Sequence, residues 1–252
     1  MPAKQSRKPL AGDDPSDYDQ PSVTVDLVLL TVREGQLHVL LIRREAKPFA
    51  GRWAQHGGFV RIEESLTAAV RRVLREKARL TGIFIEQLYT FGAVKRDPRT
   101  RVITVAYYAL VSEGQLIRAI GQSADLARMP VHVAWQGEAG GQAEVRGPGG
   151  KPVRLAFDHK EILGMAVKRL RGKLDYSPVG FELLPETFTL RQLQQVHEAI
   201  LDVKLNKPAF RRRMLDKGVL QATGRRETGV TYRPAELYRF VHAAGSNNRE
   251  EN

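Results

Sequence analysis

The sequence predicts an α/β (α+β) domain followed by a C-terminal winged helix-turn-helix domain, and three observations carry that prediction. From Val23 to Leu110, β-branched and aliphatic runs are broken by one stretch of helical periodicity. Six glycines between residues 137 and 150 then interrupt the chain, with strand-like sequence on both sides. Beyond Pro185 the order becomes helix, turn, basic helix and basic hairpin, which is the order of a winged helix-turn-helix.

Each element has its own signal. "VTVDLVLLTV" and "LHVLLIRR", joined by "REGQ", predict a β-hairpin. Ser65 to Arg79 has helical spacing, with Leu66, Ala69, Val70, Val73 and Leu74 along one side. "EQLYTFGAV" and "RVITVAYYALV" read as strands around the turn-forming "KRDPRT". The glycine-rich segment lies between "VHVAW" and "VRLAF" and predicts a long hairpin tip or loop. "FDHKEILGMAVKRLRGKL" predicts a helix; Asp158 and Glu161 have capping-box spacing, so Asp158 is expected to cap rather than catalyse. Thr189 and Gln192 open the next helix, through Leu201, with the same spacing. "AFRRRMLDKG" is a further helix ended by Gly218, and strands "VLQAT" and "VTYRP" flank "GRRETG". The expected division is a disordered tail over 1–20, an effector-type domain over 21–174 and a linker over 175–185. The winged domain follows over 186–243, with a disordered tail over 244–252.

A chain of 252 residues can form one large domain or two modest ones. The formal charge of +12 suits an anionic partner, although a merely soluble basic surface gives the same balance. With no cysteine, disulfides, thiolate metal sites and cysteine nucleophiles are excluded. The first twenty residues have no apolar secretory segment and mix Lys4, Arg7 and Lys8 with Asp13, Asp14, Asp17 and Asp19. No run approaches the roughly 18 apolar residues needed to span a bilayer. A cytoplasmic, nucleoid-associated protein with no membrane partner is expected.

Hydrolysis of a nucleoside diphosphate derivative needs hard oxygen ligands for magnesium, which offsets phosphate charge and helps activate water. In "GGFVRIEESLTAAVRRVLREKARL", Gly58, Glu64, Arg72, Leu74, Glu76 and Leu80 have a spacing that resembles the Nudix box. Its usual form is a glycine, five residues, Glu, seven residues, then Arg-Glu-aliphatic-x-Glu-Glu-x-Gly-aliphatic. The resemblance implies a Nudix fold, a mixed sheet between helices, with the box as a loop-helix-loop. Three positions depart from it: Val73 stands at the first Glu of the core, Lys77 at the last Glu and Arg79 at the Gly. Two metal-ligand positions are thereby lost, and no metal, cofactor or catalytic residue is expected. The Lys77 ammonium is a candidate to replace part of the metal's charge beside a bound diphosphate. The alternative is a solvated Lys77 and a Val73 that only repacks the core.

A ligand pocket is still expected around the box. Arg43, Arg44, Phe49 and Trp53 precede it, and Arg96 and Asp97 follow in a segment that resembles ADP-ribose-type Nudix proteins. Arg96 and Asp97 are candidates for phosphate and ribose contact, or for shaping a turn. Trp53 is a candidate base-stacking platform, or core. Together with Glu64, Arg72, Glu76 and Lys77, the residues Arg43, Trp53, Arg96 and Asp97 make up the expected effector site. His56 is a lone loop histidine and is not assigned as a base.

From Lys204 to Lys217 there are six basic residues and one acidic residue, Asp216. Such a concentration can neutralise phosphates, and guanidinium can also read guanine edges. The expected DNA-binding residues are Thr189, Lys207, Arg211, Arg212 and Arg213, with Arg225 and Arg226 at the wing tip; a solvated charged helix is the alternative. The blocks "FDHKEIL", "LLPETFTLRQLQQVHEAIL", "NKPAFRRRML" and "YRPAELYRF" after a degenerate Nudix box resemble the NrtR family, Nudix-related regulators of NAD metabolism. The resemblance covers about residues 22–241. It implies a homodimer on palindromic double-stranded operator DNA, repression of NAD biosynthesis or salvage genes, and release by ADP-ribose or a related NAD metabolite. Two other readings compete. One is an ADP-ribose pyrophosphatase with an accessory nucleic-acid-binding domain. The other is an RNA-engaging adaptor, which lacks the aromatic-rich motif of common RNA modules.

Overall fold

Central strands can be apolar along their whole length only where both faces of a sheet are covered, and "VTVDLVLLTV" meets that condition. In the computed structural model, which describes residues 18–121 and 123–241 with Asp14 and Ser16, β1 (Ser22–Arg33) and β2 (Gln36–Arg43) form the expected antiparallel hairpin. Short β3 (Trp53–Ala54) pairs with β2, and β4 (His56–Phe59) with β1. Helix α1 (Leu66–Val73) leads through a π-helical turn, Leu74–Ala78, to β5 (Phe84–Phe91) and β6 (Val102–Leu110). Because β6 runs parallel to β1, the sheet is mixed. Helix α2 (Glu113–Ile120), β7 (Leu126–Val133), β8 (Ala143–Arg146) and β9 (Pro152–Val153) complete the order β5-β6-β1-β2-β7-β8-β9.

Strand alternation divides the core in two. Val25, Leu27 and Leu29 pack with the buried residues of α1 and α2, whereas Val28 and Leu30 face α3 (His159–Lys173) and α4 (Leu190–Leu201). A third, smaller core joins Leu190 and Leu193 of α4 to Phe210 and Met214 of α5 (Lys207–Asp216). The hairpin β10 (Leu220–Arg226) and β11 (Glu236–Phe240) closes it through Leu220, Tyr238 and Phe240. Helix α4 therefore serves two cores, since Val196 and Ile200 lie in the one under the sheet. Among the described residues, no helix is long and apolar enough to cross a membrane.

The structure differs from the sequence expectations at several places. The box helix is α-helical only to Val73; beyond its π turn Arg79 takes left-handed backbone, φ 56°, at the position where the box has glycine. For a non-glycine residue that conformation costs about 1–2 kcal/mol. The expected strand "VTYRP" lies in the hairpin tip, and Glu236–Phe240 pairs instead. Pro234 has no N–H for a ladder, while Tyr238 pairs through its backbone with Phe188 as well as with Ala222.

The glycine-rich segment contains β8 and lies along α3. A Cβ built on Gly164 would sit 1.9 Å from the Gly141 carbonyl oxygen, so Gly164 is there for close backbone approach. The expected linker is packed: the 3-10 turn Pro178–Leu183 buries Val179 and Leu183, and Phe181 stacks on Phe240 at 4.5 Å. Helix α2 is an element that the sequence expectations lack, although Ser112 and Gln115 form a capping box at its start. The expected tails fall outside the described residues, apart from Asp14, Ser16 and residues 18–20.

Candidate effector cavity and nucleic-acid interface

A cavity of about 170 Å³ opens where β1, β4, the β5–β6 loop and the start of α3 converge. Its cations are Arg44, Lys77, Arg96 and Arg99, and its aromatic walls are Phe59 and Phe157. The Arg44 guanidinium carbon lies 4.8 Å from the Phe157 ring centroid; that of Arg99 lies 5.7 Å from Phe59 and 5.9 Å from Phe157. Clustered guanidinium and ammonium groups suit phosphate oxygens, and flat rings beside them suit a base or pyridine ring.

The inner wall is a buried ionic network. Arg96 donates to Asp26 Oδ2 at 3.0 Å and to both oxygens of Asp158 at 2.8 and 2.9 Å. His159 Nδ1 accepts the backbone N–H of Gln55 at 2.9 Å, which leaves the imidazole proton on Nε2, 3.7 Å from Asp26 Oδ1. Burial alone would raise the Asp26 carboxyl, but hydrogen bonding from His159, with the charge of Arg96, outweighs it and lowers the group to about 2. Gly57 is obligatory beside this network, because a Cβ there would meet Asp26 Oδ1 at 2.3 Å. Asp158 thus makes no side-chain cap on α3, contrary to the expectation from its spacing; Arg96 takes both of its oxygens.

The box residues flank the cavity. Glu64 is held by Arg72 through Nε at 2.9 Å and through a second bond from Nη2, which also donates to the Phe59 carbonyl at 2.9 Å. That pairing lowers the Glu64 carboxyl to about 2. Glu76 is exposed, 3.7 Å from Arg72. Val73 is fully buried, and a Cβ on Gly58 would sit 3.1 Å from its Cγ2, so Val73 fills the box-helix core. Lys77 is exposed as a residue, but its ammonium lines the cavity and donates to the Gly57 carbonyl; partial desolvation there, then Arg44 and Arg72, lowers its pKa. Among the described residues, no group of three or more His, Asp or Glu side chains is gathered to hold a metal. With Glu64 committed to Arg72, Glu76 exposed, and Val73 and Lys77 at the other two positions, these side chains do not fit the magnesium that the Nudix box implies.

Of the expected effector residues, Lys77, Arg96 and Asp97 line the cavity together. Asp97 is engaged by Arg99 at 2.7 and 3.0 Å. Glu64, Arg72 and Glu76 pair with one another beside the cavity without lining it, and Arg43 and Trp53 do not line it either. Alternation along β2 gives one face to Ile42 and, just past the strand, Arg44; Arg43 lies on the other, exposed, and Trp53 packs against the core under the sheet. Arg44, which also precedes the box, lines the cavity, and so do residues that the sequence expectations do not single out: Asp26, Phe59, Arg99, Phe157 and His159. Asp26 did leave a signal, because one carboxylate inside an apolar strand is seldom buried without a partner.

His56 is fully buried with both ring nitrogens unpartnered, and burial, then Lys77, lowers its pKa to about 3. His197 on α4 is lowered to about 4 by burial, then Arg213 and Lys217. The unfolded chain takes up protons at these sites below pH 6.5, whereas the native protein does so only near 4 and 3. Their contribution to stability is thus present above pH 6.5 and is lost as pH falls, by up to about 1.4 kcal/mol per pH unit for each. Urea midpoints measured from pH 7.5 to 4.5 should fall steadily below pH 6.5. A flat profile would show that neither imidazole is held neutral.

In the C-terminal domain, Thr189 is a buried N-cap whose hydroxyl accepts from Gln192 N at 3.2 Å. Its side chain is committed inside the fold, which removes it from the expected DNA surface. Lys207, Arg211 and Arg212 are exposed on α5 and make no ion pair among the described residues. Arg213 is exposed but lies 3.6 Å from Asp175. Arg225 and Arg226 are exposed at the end of β10, with Arg226 Nη1 donating to Pro234 O at 3.3 Å.

The matching family models give the class of protein. Residues 21–145 match the NUDIX domain and residues 180–240 the NrtR DNA-binding winged helix domain, so a Nudix domain is followed by a DNA-binding module. The chain is 38% identical over 228 residues to the ADPR responsive transcriptional repressor NtrR of Acinetobacter baylyi, covering 90% of this chain and 84% of that one. A crystal structure of Shewanella oneidensis NrtR complexed with a 27mer DNA is 36% identical, with a TM-score of 0.71 over 86% of this chain and 93% of that one. An ADP-ribose pyrophosphatase of Methanocaldococcus jannaschii is 31% identical over 146 residues, 58% of this chain and 73% of the relative. The chain belongs to the NrtR family of Nudix-related transcriptional regulators.

Proposed function

We propose that this chain is a ligand-responsive transcriptional repressor of NAD biosynthesis or salvage genes. It binds a palindromic operator as a homodimer and is released by ADP-ribose or a related NAD metabolite. One observation carries the reading: the cavity gathers four cations and two aromatic walls, but the box carboxylates beside it are tied to Arg72 or exposed. That arrangement suits holding a nucleoside diphosphate better than cleaving it. The basic face of α5 supplies the second half, with half-sites expected about one DNA turn, roughly 34–36 Å, apart. The similarity to a pyrophosphatase favours an enzymatic reading; Val73 and Lys77 oppose it, since they replace two box carboxylates.

A gel shift against the protein's own upstream DNA, with and without ADP-ribose, tests this. Binding that ADP-ribose weakens is expected, and DNA affinity unaffected by ADP-ribose would exclude it as the effector. Within the same assay, Arg211→Ala, Arg212→Ala and Lys207→Ala should each weaken binding. A pure phosphate contact lowers the salt slope by about one unit on every sequence, whereas a base-reading contact costs about 1–3 kcal/mol at one position. Unchanged shifts in all three variants would move the interface toward Arg225 and Arg226.

A further inference from the structure

Helix α3 carries His159 in the cavity wall at its start, beside Asp158, which holds the cavity residue Arg96, and it carries Arg171 near its end. At 1.5 Å per residue these points are about 20 Å apart. Arg171 is 5% exposed, an unusual place for a guanidinium. Its Nε donates to Ile200 O at 2.8 Å, in the last turn of α4, and its Nη1 donates to Trp135 O at 3.1 Å and Gly137 O at 3.3 Å. The Trp135 ring lies 4.8 Å from its guanidinium carbon. All three acceptors are carbonyl oxygens, and one sits at the negative end of the α4 dipole, where a cation is favoured. The planar fork reaches acceptors on two segments at once, which an ammonium does less well.

The same helix face meets the glycine-rich segment with no slack. A Cβ on Gly172 would approach the Glu138 carboxylate to 3.0 Å, and one on Gly164 would overlap the Gly141 carbonyl. A shift of α3 therefore carries Arg171 and its acceptors with it, because the contacts along this face leave no room to slide.

We propose that Arg171 is a positioning residue that transmits effector occupancy to the DNA-binding half, by fixing the end of α4 to the helix that forms one wall of the cavity. A ligand that disturbs the Arg96–Asp158 pair displaces the start of α3, and Arg171 passes the displacement to α4. This deepens, and rests on, the reading of the chain as an ADP-ribose-responsive repressor.

The test is Arg171→Met in the full chain, which keeps the stem against Trp135 and removes the donors. Operator affinity is measured with and without saturating ADP-ribose, and ADP-ribose affinity by calorimetry without DNA. In the unsubstituted protein the two operator affinities should differ by roughly 5–150-fold, the usual range for coupled sites, and in Arg171→Met the ratio should fall to about one. ADP-ribose affinity without DNA should stay the same. Arg171→Lys, which keeps the cation with fewer directed donors, should retain part of the ratio. Equal weakening of operator binding with and without ADP-ribose, at an unchanged ratio, is what a purely structural role would give, and it would overturn the proposal. Should Arg171→Met not fold, amide exchange on the unsubstituted chain decides: ADP-ribose should alter protection over residues 198–202. Calorimetric binding without that change would also overturn the proposal. If calorimetry shows no ADP-ribose binding at all, the reading beneath it fails instead.

Discussion

Arg96→Leu is expected to destabilise the protein by about 3–5 kcal/mol, because it strips the shared cation from two largely buried carboxylates. Asp26 and Asp158 have side chains only 10% and 14% exposed, and both accept hydrogen bonds from Arg96. Without it, two negative charges face each other across the cavity wall. Urea denaturation at pH 7 gives the size of the loss, and calorimetry should show ADP-ribose binding lost in the fraction that remains folded. Asp26→Asn added to Arg96→Leu should recover part of the stability by removing one charge. A loss below about 1 kcal/mol, typical of exposed pairs, would mean that solvent reaches both carboxylates.

Lys77→Glu is expected to weaken metal-free ADP-ribose binding by about tenfold or more, roughly 1.4 kcal/mol. It turns one of four cavity cations into an anion beside Arg44 and Arg96, where a diphosphate is expected to lie. The unsubstituted protein should show no ADP-ribose turnover approaching the roughly 1–1000 per second of ordinary enzymes. Calorimetry with product chromatography reads both. Tighter metal-free binding in Lys77→Glu would refute the surrogate-cation role. Restoring the other lost carboxylate has a different consequence. Val73 is wholly buried against Gly58, so Val73→Glu places a carboxylate in the core and should cost several kcal/mol before any metal binds.

The legibility of this chain followed the range over which each residue's partners lie. The hairpin of β1 and β2, the capped start of α4 and the helices around the core announced themselves through period and caps, which are local. Helix α2 was equally local and was missed with its capping box in view. The cavity was harder. Arg96 and Asp158 stand 62 residues apart in sequence, and Asp26 lies 70 from Arg96, so no spacing rule could pair them. Asp158 shows the limit plainly: its position promised a helix cap, and a distant guanidinium took both oxygens. Arg43, Arg44 and Trp53 are equal candidates by proximity to the box; strand alternation, which the sequence does carry, puts Arg44 and not Arg43 in the cavity.

The shared helix α4 has a bearing on how this molecule can be rearranged. A regulator assembled from independent parts lets its DNA reader be grafted to a new sensor by cutting the chain between them. Here a piece beginning at residue 186 would carry Val196 and Ile200 into water, away from the sheet core they now fill. Each such side chain left bare forfeits about 1.5–3 kcal/mol of burial. Phe181, which stacks on Phe240, would be left on the other side of the cut. A chimera would keep the reader intact only if its new sensor supplied an apolar floor for the second half of α4 and brought residues 178–183 along with it.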